Sequence, residues 1–138
     1  MILLDTSGLL AALDAGQRSH HESAAILTAA RPPLLLSLFV LAELDYLLAS
    51  RVGEAARESL LDEVGRSAYL LEEMTGADVA RAQAIMKRHA DLGISLADAS
   101  IVVLAERHGV RDVLTLDERY FRVLTANGKP LRLLPADS

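Results

Sequence analysis

The chain contains no cysteine and few aromatic residues, and both absences limit what it can be. Without Cys among its 138 residues, disulfides and thiolate metal sites are excluded, and a reducing compartment is allowed. Aromatic residues make up only 4% of the chain, so the core has to be built from Leu, Val, Ile and Ala. The length, with 51% hydrophobic and 24% charged residues, predicts one globular domain over residues 1–138.

Long apolar runs are also missing. The longest, such as residues 38–42 and 101–105, fall far short of the roughly 18 residues that a membrane-spanning helix needs. The amino terminus, MILLDTSGLL, lacks a basic region and carries Asp5 inside its apolar stretch, so it does not resemble a secretion signal. We therefore expect a cytoplasmic protein that does not engage a membrane.

Several common catalytic patterns are absent as well. The sequence has no H-E-x-x-H motif, no Ser/His/Asp spacing and no glycine-rich phosphate loop. His20 and His21 are adjacent and point in different directions, while His89 and His108 lie near predicted helix ends, where imidazolium favours the helix dipole. The histidines therefore do not form a catalytic site that would compete with one built from carboxylates.

Short apolar runs alternate with longer amphipathic segments along the chain. This alternation predicts an α/β sandwich with a mainly parallel central sheet. Strands are predicted at residues 1–4, 34–36, 68–71, 112–116 and 130–135. Helices are predicted at about residues 7–16, 19–30, 37–52, 53–65, 76–91 and 97–109, with a short one around Tyr120.

Helix boundaries carry signals of their own. Ser37 is placed to cap the third helix, and the T-x-x-D and S-x-x-D patterns that begin at Thr75 and Ser95 are typical of capping boxes. Gly16 and Gly109 follow two helices, where glycine is the preferred terminating residue.

Four carboxylates fall where an open α/β sheet binds its ligands, beyond the carboxyl ends of the strands. Asp5 ends the first strand and Asp117 ends the fourth, Asp98 lies in the first turn of a helix, and Glu43 lies in the helix after the second strand. Each has a structural alternative from position alone: Asp5 and Asp117 are also natural helix caps, and Asp98 is also half of a capping box.

The segment SLFVLAELDYLL places two acids in an otherwise apolar helix. Glu43 and Asp45 both have mostly apolar neighbours three and four positions away, and they point to nearly opposite sides of the helix. At most one of them should face the interior, because a buried carboxylate needs a partner or a cation. Spacing does not decide which, and Asp45 is most simply a solvated residue.

The ordered segments LLDTSGLLAALD, SLFVLAELDYLL, DLGISLADASIVVLAERHGV and VLTLDERYFRVL together resemble a PIN domain, specifically the VapC-type toxins of prokaryotic toxin–antitoxin pairs. The resemblance covers nearly the whole chain and implies a PIN-like three-layer sandwich, a mainly parallel sheet flanked by helices. The acids that match the family's site are Asp5, Glu43, Asp98 and Asp117. The resemblance thus selects Glu43 over Asp45, and it adds Thr6 and Thr115 as supporting hydroxyls.

The resemblance implies a metal-dependent endoribonuclease that hydrolyses RNA phosphodiester bonds with metal-activated water and leaves a 3′-hydroxyl and a 5′-phosphate. Oxygen ligands suit Mg²⁺ or Mn²⁺, and four clustered acids without cations would repel one another. We expect one or two ions. Asp5 and Asp98 are the firmest expected ligands, with Glu43 and Asp117 completing the site directly or through water.

The formal charge of −5 argues weakly against a nucleic-acid partner. Setting aside the four site acids leaves −1 for the rest of the chain, which weakens that objection. The basic residues that follow Asp98 or surround Asp117 are candidates for contacting RNA phosphates, although solvated ion pairs explain each of them equally well. These residues are Arg107, Arg111, Arg119 and Arg122.

The resemblance also implies a cognate VapB-type antitoxin and a homodimer. Two alternatives stay open at this point: an α/β phosphatase of haloacid-dehalogenase type, and a PIN-like binding module without catalysis. The phosphatase would need D-x-D after the first strand, where this chain has Asp5-Thr6-Ser7. Asp91, which precedes Asp98, is expected to be a solvent-exposed residue at the end of its helix rather than part of the site.

Overall fold

In the computed structural model, which describes all 138 residues, a five-stranded parallel sheet in the order β3-β2-β1-β4-β7 is surrounded by seven helices. The sheet strands are β1 Ile2–Leu4, β2 Leu34–Ser37, β3 Leu70–Glu72, β4 Asp112–Leu114 and β7 Arg132–Leu134; β5 Thr125–Ala126 and β6 Lys129–Pro130 form a separate hairpin. The helices are α1 Thr6–Leu13, α2 His20–Ala29, α3 Leu38–Arg51, α4 Glu54–Gly65, α5 Gly76–Arg88, α6 Leu96–His108 and α7 Glu118–Phe121. The predicted α/β class and the parallel sheet are confirmed.

The first strand lies at the centre of the sheet. All of β1 is buried, as expected for a parallel strand covered on both faces. Leu3 pairs in register with Leu35 of β2 on one side and with Val113 of β4 on the other. The core around these strands consists of Leu, Val, Ile and Ala with a few aromatic side chains, as the composition predicts.

The predicted helix signals are largely confirmed. The Ser37 hydroxyl accepts a hydrogen bond from the Phe39 N–H, and both capping boxes, at Thr75 and Ser95, are formed. Gly109 ends α6 in the left-handed conformation. The prediction for Gly16 is wrong: α1 ends earlier, at Leu13, and the Gly16 N–H instead donates to the side chain of Asp14.

The β5–β6 hairpin is absent from the predicted elements, although its signal is present in the sequence. Asn127 and Gly128 connect the two strands, both with positive φ values of 52° and 76°. An Asn-Gly pair with this geometry is the preferred two-residue hairpin turn. The strands are only two residues long, too short to show an alternating pattern.

The parallel arrangement brings the carboxyl ends of β2, β1 and β4 to one edge of the sheet, where the site acids follow. Gly8 in α1 allows a close approach there, because a Cβ atom on it would lie 2.3 Å from the carbonyl oxygen of Leu114. Any larger residue would separate α1 from β4. None of the helices has the length and apolar character needed to cross a membrane.

Candidate active site

Asp5 lies directly after β1 and is the most enclosed acid of the site, with only 3% of its surface exposed. Its Oδ2 atom accepts hydrogen bonds from the hydroxyls of Ser7 and Thr115, both at 2.7 Å. Its backbone N–H donates to the carbonyl of Leu114 at 3.0 Å and so fixes the end of β1 against β4. Asp5 is therefore held rigidly at the middle of the sheet edge.

The surroundings of Asp5 disfavour its charge. The pKa of this carboxyl is raised to about 6, mainly by burial and also by the negative charge of Asp98, while the hydrogen bonds from Ser7 and Thr115 oppose the rise. No basic side chain contributes to the environment of Asp5. A buried acid with an acidic neighbour and no cationic partner is the arrangement expected of a cation ligand.

Two hydroxyls connect Asp5 to the loop that carries Asp117. The Thr115 hydroxyl, besides donating to Asp5, accepts from the Asp117 N–H at 2.9 Å. The Ser7 hydroxyl accepts from the N–H of Leu116 at 2.9 Å. Thr115 has the position predicted for a supporting hydroxyl, whereas Ser7 is absent from the predicted set although it stands in the same D-T-S motif.

Asp117 also caps α7, since its Oδ1 atom accepts from the Tyr120 N–H at 3.3 Å. Thr6, predicted as a supporting residue, is buried, but its hydroxyl has no hydrogen-bond partner within the protein. A supporting role for Thr6 therefore stays a prediction.

Asp98 combines a structural and an electrostatic role. Its Oδ2 atom accepts from the Ser95 N–H at 3.0 Å, which completes the capping box of α6. Burial raises the pKa of Asp98 and the Ser95 hydrogen bonds lower it, while the charges of Asp117 and Glu43 raise it further. Asp98 is thus the residue through which the four predicted acids are electrostatically connected.

The structure separates the two acids of α3. Glu43 is exposed on the side of the helix from which its charge acts on Asp98. Asp45 turns toward α4 and accepts a hydrogen bond from Arg57 Nε at 2.6 Å, as a partly exposed ion pair. The expectation that Asp45 is simply solvated is therefore wrong, because its neighbouring helix supplies a partner.

The donor set fits a hydrated cation better than a cage of protein ligands. No three Asp, Glu or His side chains lie close enough together to ligate one ion as the chain stands. Mg²⁺ commonly binds only one or two carboxylates directly and keeps several waters, so the separation of these acids is compatible with Mg²⁺ coordination. Asp5 and Asp98, which sense each other's charge, form the natural pair.

Two of the four candidate RNA-binding arginines do not lie beside the acids. Arg107 follows Asp98 by nine residues, about 13 Å along the helix axis, and is paired with Glu72 and Asp78 at 3.0 and 2.8 Å. Arg111 precedes β4, so it lies at the amino end of the strand whose carboxyl end leads to the site. The structure therefore does not bring Arg107 and Arg111 to the acids, because the length of α6 and of β4 separates them; RNA contact by either stays a prediction.

The other two arginines remain near Asp117 in α7 and just after it. Arg122 is engaged by Glu118 and by the carboxylate of Asp137 at 2.8 and 2.7 Å, which leaves it little freedom to bind phosphate. Arg119 makes no ion pair and lies over the ring of Tyr120, 5.6 Å from its centre. Asp91 is exposed in the turn after α5, as expected.

Comparison with known proteins agrees with this arrangement. A family model described as the PIN domain matches residues 2–125, and the chain therefore belongs to the PIN domain family. Ribonuclease VapC26 of Mycobacterium tuberculosis is 39% identical over 127 residues, which cover 92% of this chain and 94% of that protein. Within the family, this chain is accordingly of the VapC type, and the haloacid-dehalogenase alternative is wrong.

Two solved structures show the same fold. The crystal structure of Mycobacterium tuberculosis VapC20, described as a Sarcin-Ricin loop cleaving toxin, has a TM-score of 0.79 with 24% identity, covering 85% of this chain and 90% of VapC20. The structure of FitAcB from Neisseria gonorrhoeae has a TM-score of 0.53 with 24% identity, covering 79% of this chain and 83% of the other. The predicted PIN-like sandwich is confirmed.

Proposed function

We propose that this protein is a metal-dependent endoribonuclease, the toxin of a type II toxin–antitoxin pair, acting as a single domain over residues 1–138. The observation that carries the proposal is Asp5: a buried carboxylate with a raised pKa, an acidic neighbour and no basic partner, at the sheet edge of a PIN domain. The similarity to Ribonuclease VapC26 supports RNA as the substrate.

The four site acids are proposed to bind one or two Mg²⁺ or Mn²⁺ ions. Asp5 and Asp98 are the proposed direct ligands, with Glu43 and Asp117 completing the site directly or through water. When bound, the cation lowers the pKa of a water for attack on the phosphodiester and neutralises the charge of the phosphate.

The remaining residues orient these acids. The Ser7 and Thr115 hydroxyls hold one oxygen of Asp5, which leaves the other oxygen to face a ligand. Thr115 also fixes the backbone of Asp117, so a single side chain sets two acids relative to each other. Such supporting hydrogen bonds keep ligands in a productive orientation without reorganisation.

RNA is proposed to approach the acids from the solvent-exposed side of the site, on which Glu43 lies. Arg119, the one candidate arginine that is both near Asp117 and free of an ion pair, is proposed to contact a phosphate beside the scissile bond. We further propose that a VapB-type antitoxin restrains the enzyme, that the toxin forms a homodimer, and that it acts in the cytoplasm, as expected for a VapC-type protein.

The proposal is tested by incubating purified protein with end-labelled total RNA in Mg²⁺, Mn²⁺ or EDTA. Asp5→Asn and Glu43→Gln are expected to reduce cleavage at least ~100-fold, as loss of a metal-supporting carboxylate typically does. Asp45→Asn is the matched control, because this acid lies two residues from Glu43 but faces Arg57, and it should cleave normally.

Cleavage that continues in EDTA, or that both site variants retain, would show that the acids are not the catalytic centre. Well-folded wild-type protein that binds Mn²⁺ but cuts no RNA would instead favour the remaining alternative, a PIN-like binding module without catalysis. Adding p-nitrophenyl phosphate as a second substrate checks that the activity is specific for phosphodiesters.

A further inference from the structure

Two buried serines form a hydroxyl contact between α6, which contains Ser100, and the junction of β2 and α3, where Ser37 ends the strand and caps the helix. Ser37 and Ser100 are 1% and 0% exposed, and their Oγ atoms lie 2.7 Å apart although the residues are 63 positions apart in sequence. Hydroxyls at such positions are unusual, because a buried polar group is costly unless its hydrogen bonds are complete.

The hydrogen bonds of this pair are complete and run in one direction. Ser100 donates its proton to the carbonyl of Ala97 at 2.6 Å, so the proton between the two hydroxyls has to come from Ser37. Ser37 in turn accepts from the Phe39 N–H at 3.1 Å. The chain of donors thus leads from the first turn of α3 through both serines to the first turn of α6.

One end of this hydrogen-bond chain lies next to a site acid, and the other lies at the start of the helix that carries Glu43. Ala97 immediately precedes Asp98, and Ser37 stands six residues, about 9 Å of helix, before Glu43. The charge of Glu43 reaches Asp98, so the distance between their helices matters to the site. The Ser37 hydroxyl, at the start of α3, makes the one side-chain hydrogen bond to α6 in this region; the rest of the contact between α3 and α6 is apolar packing.

We propose that Ser37 and Ser100 are positioning residues that set the distance and rotation between α3 and α6, and thereby place Glu43 and Asp98 for cation binding. The proposal rests on the proposed function, because it assumes that these two acids act on one cation. Apolar side chains of similar size would fill the space, but they would allow the helices to slide, since apolar contacts have no direction. The hydroxyl pair accepts only one arrangement.

The double variant Ser37→Ala/Ser100→Ala separates positioning from stability. Ser100→Ala leaves the buried Ser37 hydroxyl without its acceptor, whereas Ser37→Ala leaves Ser100 bonded to Ala97 but removes the cap of α3. The double variant leaves no unpaired hydroxyl, so its loss of stability should be confined largely to the missing cap. Ser23→Ala is the matched control: Ser23 is also 0% exposed, but its hydroxyl has no partner and it lies in α2, away from the acids.

The measurement is Mn²⁺ binding without RNA, followed by loss of the free-ion electron paramagnetic resonance signal, together with the melting temperature and RNA cleavage at varied Mg²⁺. We expect the double variant to melt a few degrees below the Ser23→Ala protein, because it lacks the hydroxyl that caps α3, and to need about tenfold more Mn²⁺ for half-saturation, as for other residues that support metal ligands. The rate of cleavage at low Mg²⁺ should fall by a similar factor and recover at high Mg²⁺.

If the double variant binds Mn²⁺ and cleaves RNA as the Ser23→Ala protein does, the serine pair only packs and the inference is overturned. If the double variant fails to fold, Ser37→Ala replaces it, because there Ser100 keeps its bond to Ala97; unchanged Mn²⁺ binding in that variant overturns the inference equally. Weaker Mn²⁺ binding with no cleavage by the wild type would support positioning while refuting the nuclease.

Discussion

Replacing Asp5 by asparagine should make the protein more stable while abolishing its activity. Because burial raises the pKa of Asp5 from 3.8 to about 6, the folded protein disfavours the carboxylate that the unfolded chain carries freely. At about 1.36 kcal/mol per pKa unit, the charge costs the folded state about 3 kcal/mol above pH 6. Asparagine keeps an oxygen for the Ser7 and Thr115 hydroxyls and removes this cost.

The expected gain is smaller than the full cost. Asparagine loses the favourable effect that the Thr6 backbone N–H has on the carboxylate, which removes about 1–2 kcal/mol of the gain. A net stabilisation of about 1–2 kcal/mol remains, which corresponds to roughly 4–8 °C in melting temperature for a chain of this size.

The pH dependence gives this prediction its sign. Between about pH 4 and pH 6 the folded protein binds more protons at Asp5 than the unfolded chain, so the wild type loses stability as pH rises through this range. Asp5→Asn lacks this loss. The stability difference between the two proteins should therefore favour the variant above pH 6 and shrink steadily toward pH 4.

Urea denaturation in EDTA at half-unit steps from about pH 4 to about pH 7.5 measures the difference across the range in which the carboxyl titrates. Asp91→Asn, a change in an exposed turn, is the control. Adding Mg²⁺ should stabilise the wild type but not Asp5→Asn, because only the wild type binds the ion tightly. The reasoning would be refuted if the stability difference between the two proteins did not vary with pH, or if Asp5→Asn were less stable than the wild type at neutral pH. Either result would mean that burial does not disfavour the Asp5 carboxylate.

Three further predictions concern the surroundings of the site. Gly8→Ala should lower the free energy of unfolding by about 2–3 kcal/mol in urea titrations, because its Cβ atom would lie 2.3 Å from the Leu114 carbonyl oxygen. Thr115→Val should raise the pKa of Asp5 further, because it removes a hydrogen bond that lowers this pKa. In urea titrations, the free energy of unfolding of this variant should keep falling to a higher pH than that of the wild type. If RNA is held by about two phosphate contacts near Arg119, its KM should increase about tenfold between roughly 50 and 200 mM salt, and an unchanged KM would exclude that mode of binding.

The parts of the fold that depend on local signals are predictable. Ser37, Thr75 and Ser95 each carry their capping function in a three- or four-residue pattern, and the structure confirms all three. The buried strands are recognisable because a short apolar run that ends in a polar residue is typical of a strand covered on both faces. Gly16 misleads the prediction, because Asp14 ends its helix two residues earlier.

The parts that depend on which elements touch are not predictable. Nothing near Asp45 in sequence shows that Arg57, twelve residues on in the next helix, would pair with it. Likewise the hydroxyls of Ser37 and Ser100 meet only because α3 packs on α6. For Arg107 the sequence misleads in the other direction. It follows Asp98 by only nine residues, but both lie in α6, where nine residues correspond to more than two helical turns.

The hydrogen bond between Asp5 and Thr115 joins residues 110 positions apart, which has a consequence for synthesis of the protein. Translation at about 5–20 residues per second leaves roughly 6–22 s between the two residues. During that interval β1 lacks β4, its neighbour in the sheet. An amino-terminal fragment that ends before Thr115 therefore lacks one of the two hydroxyls that donate to Asp5. The hydrogen bonds that orient Asp5 therefore cannot be complete until Thr115 has been synthesised.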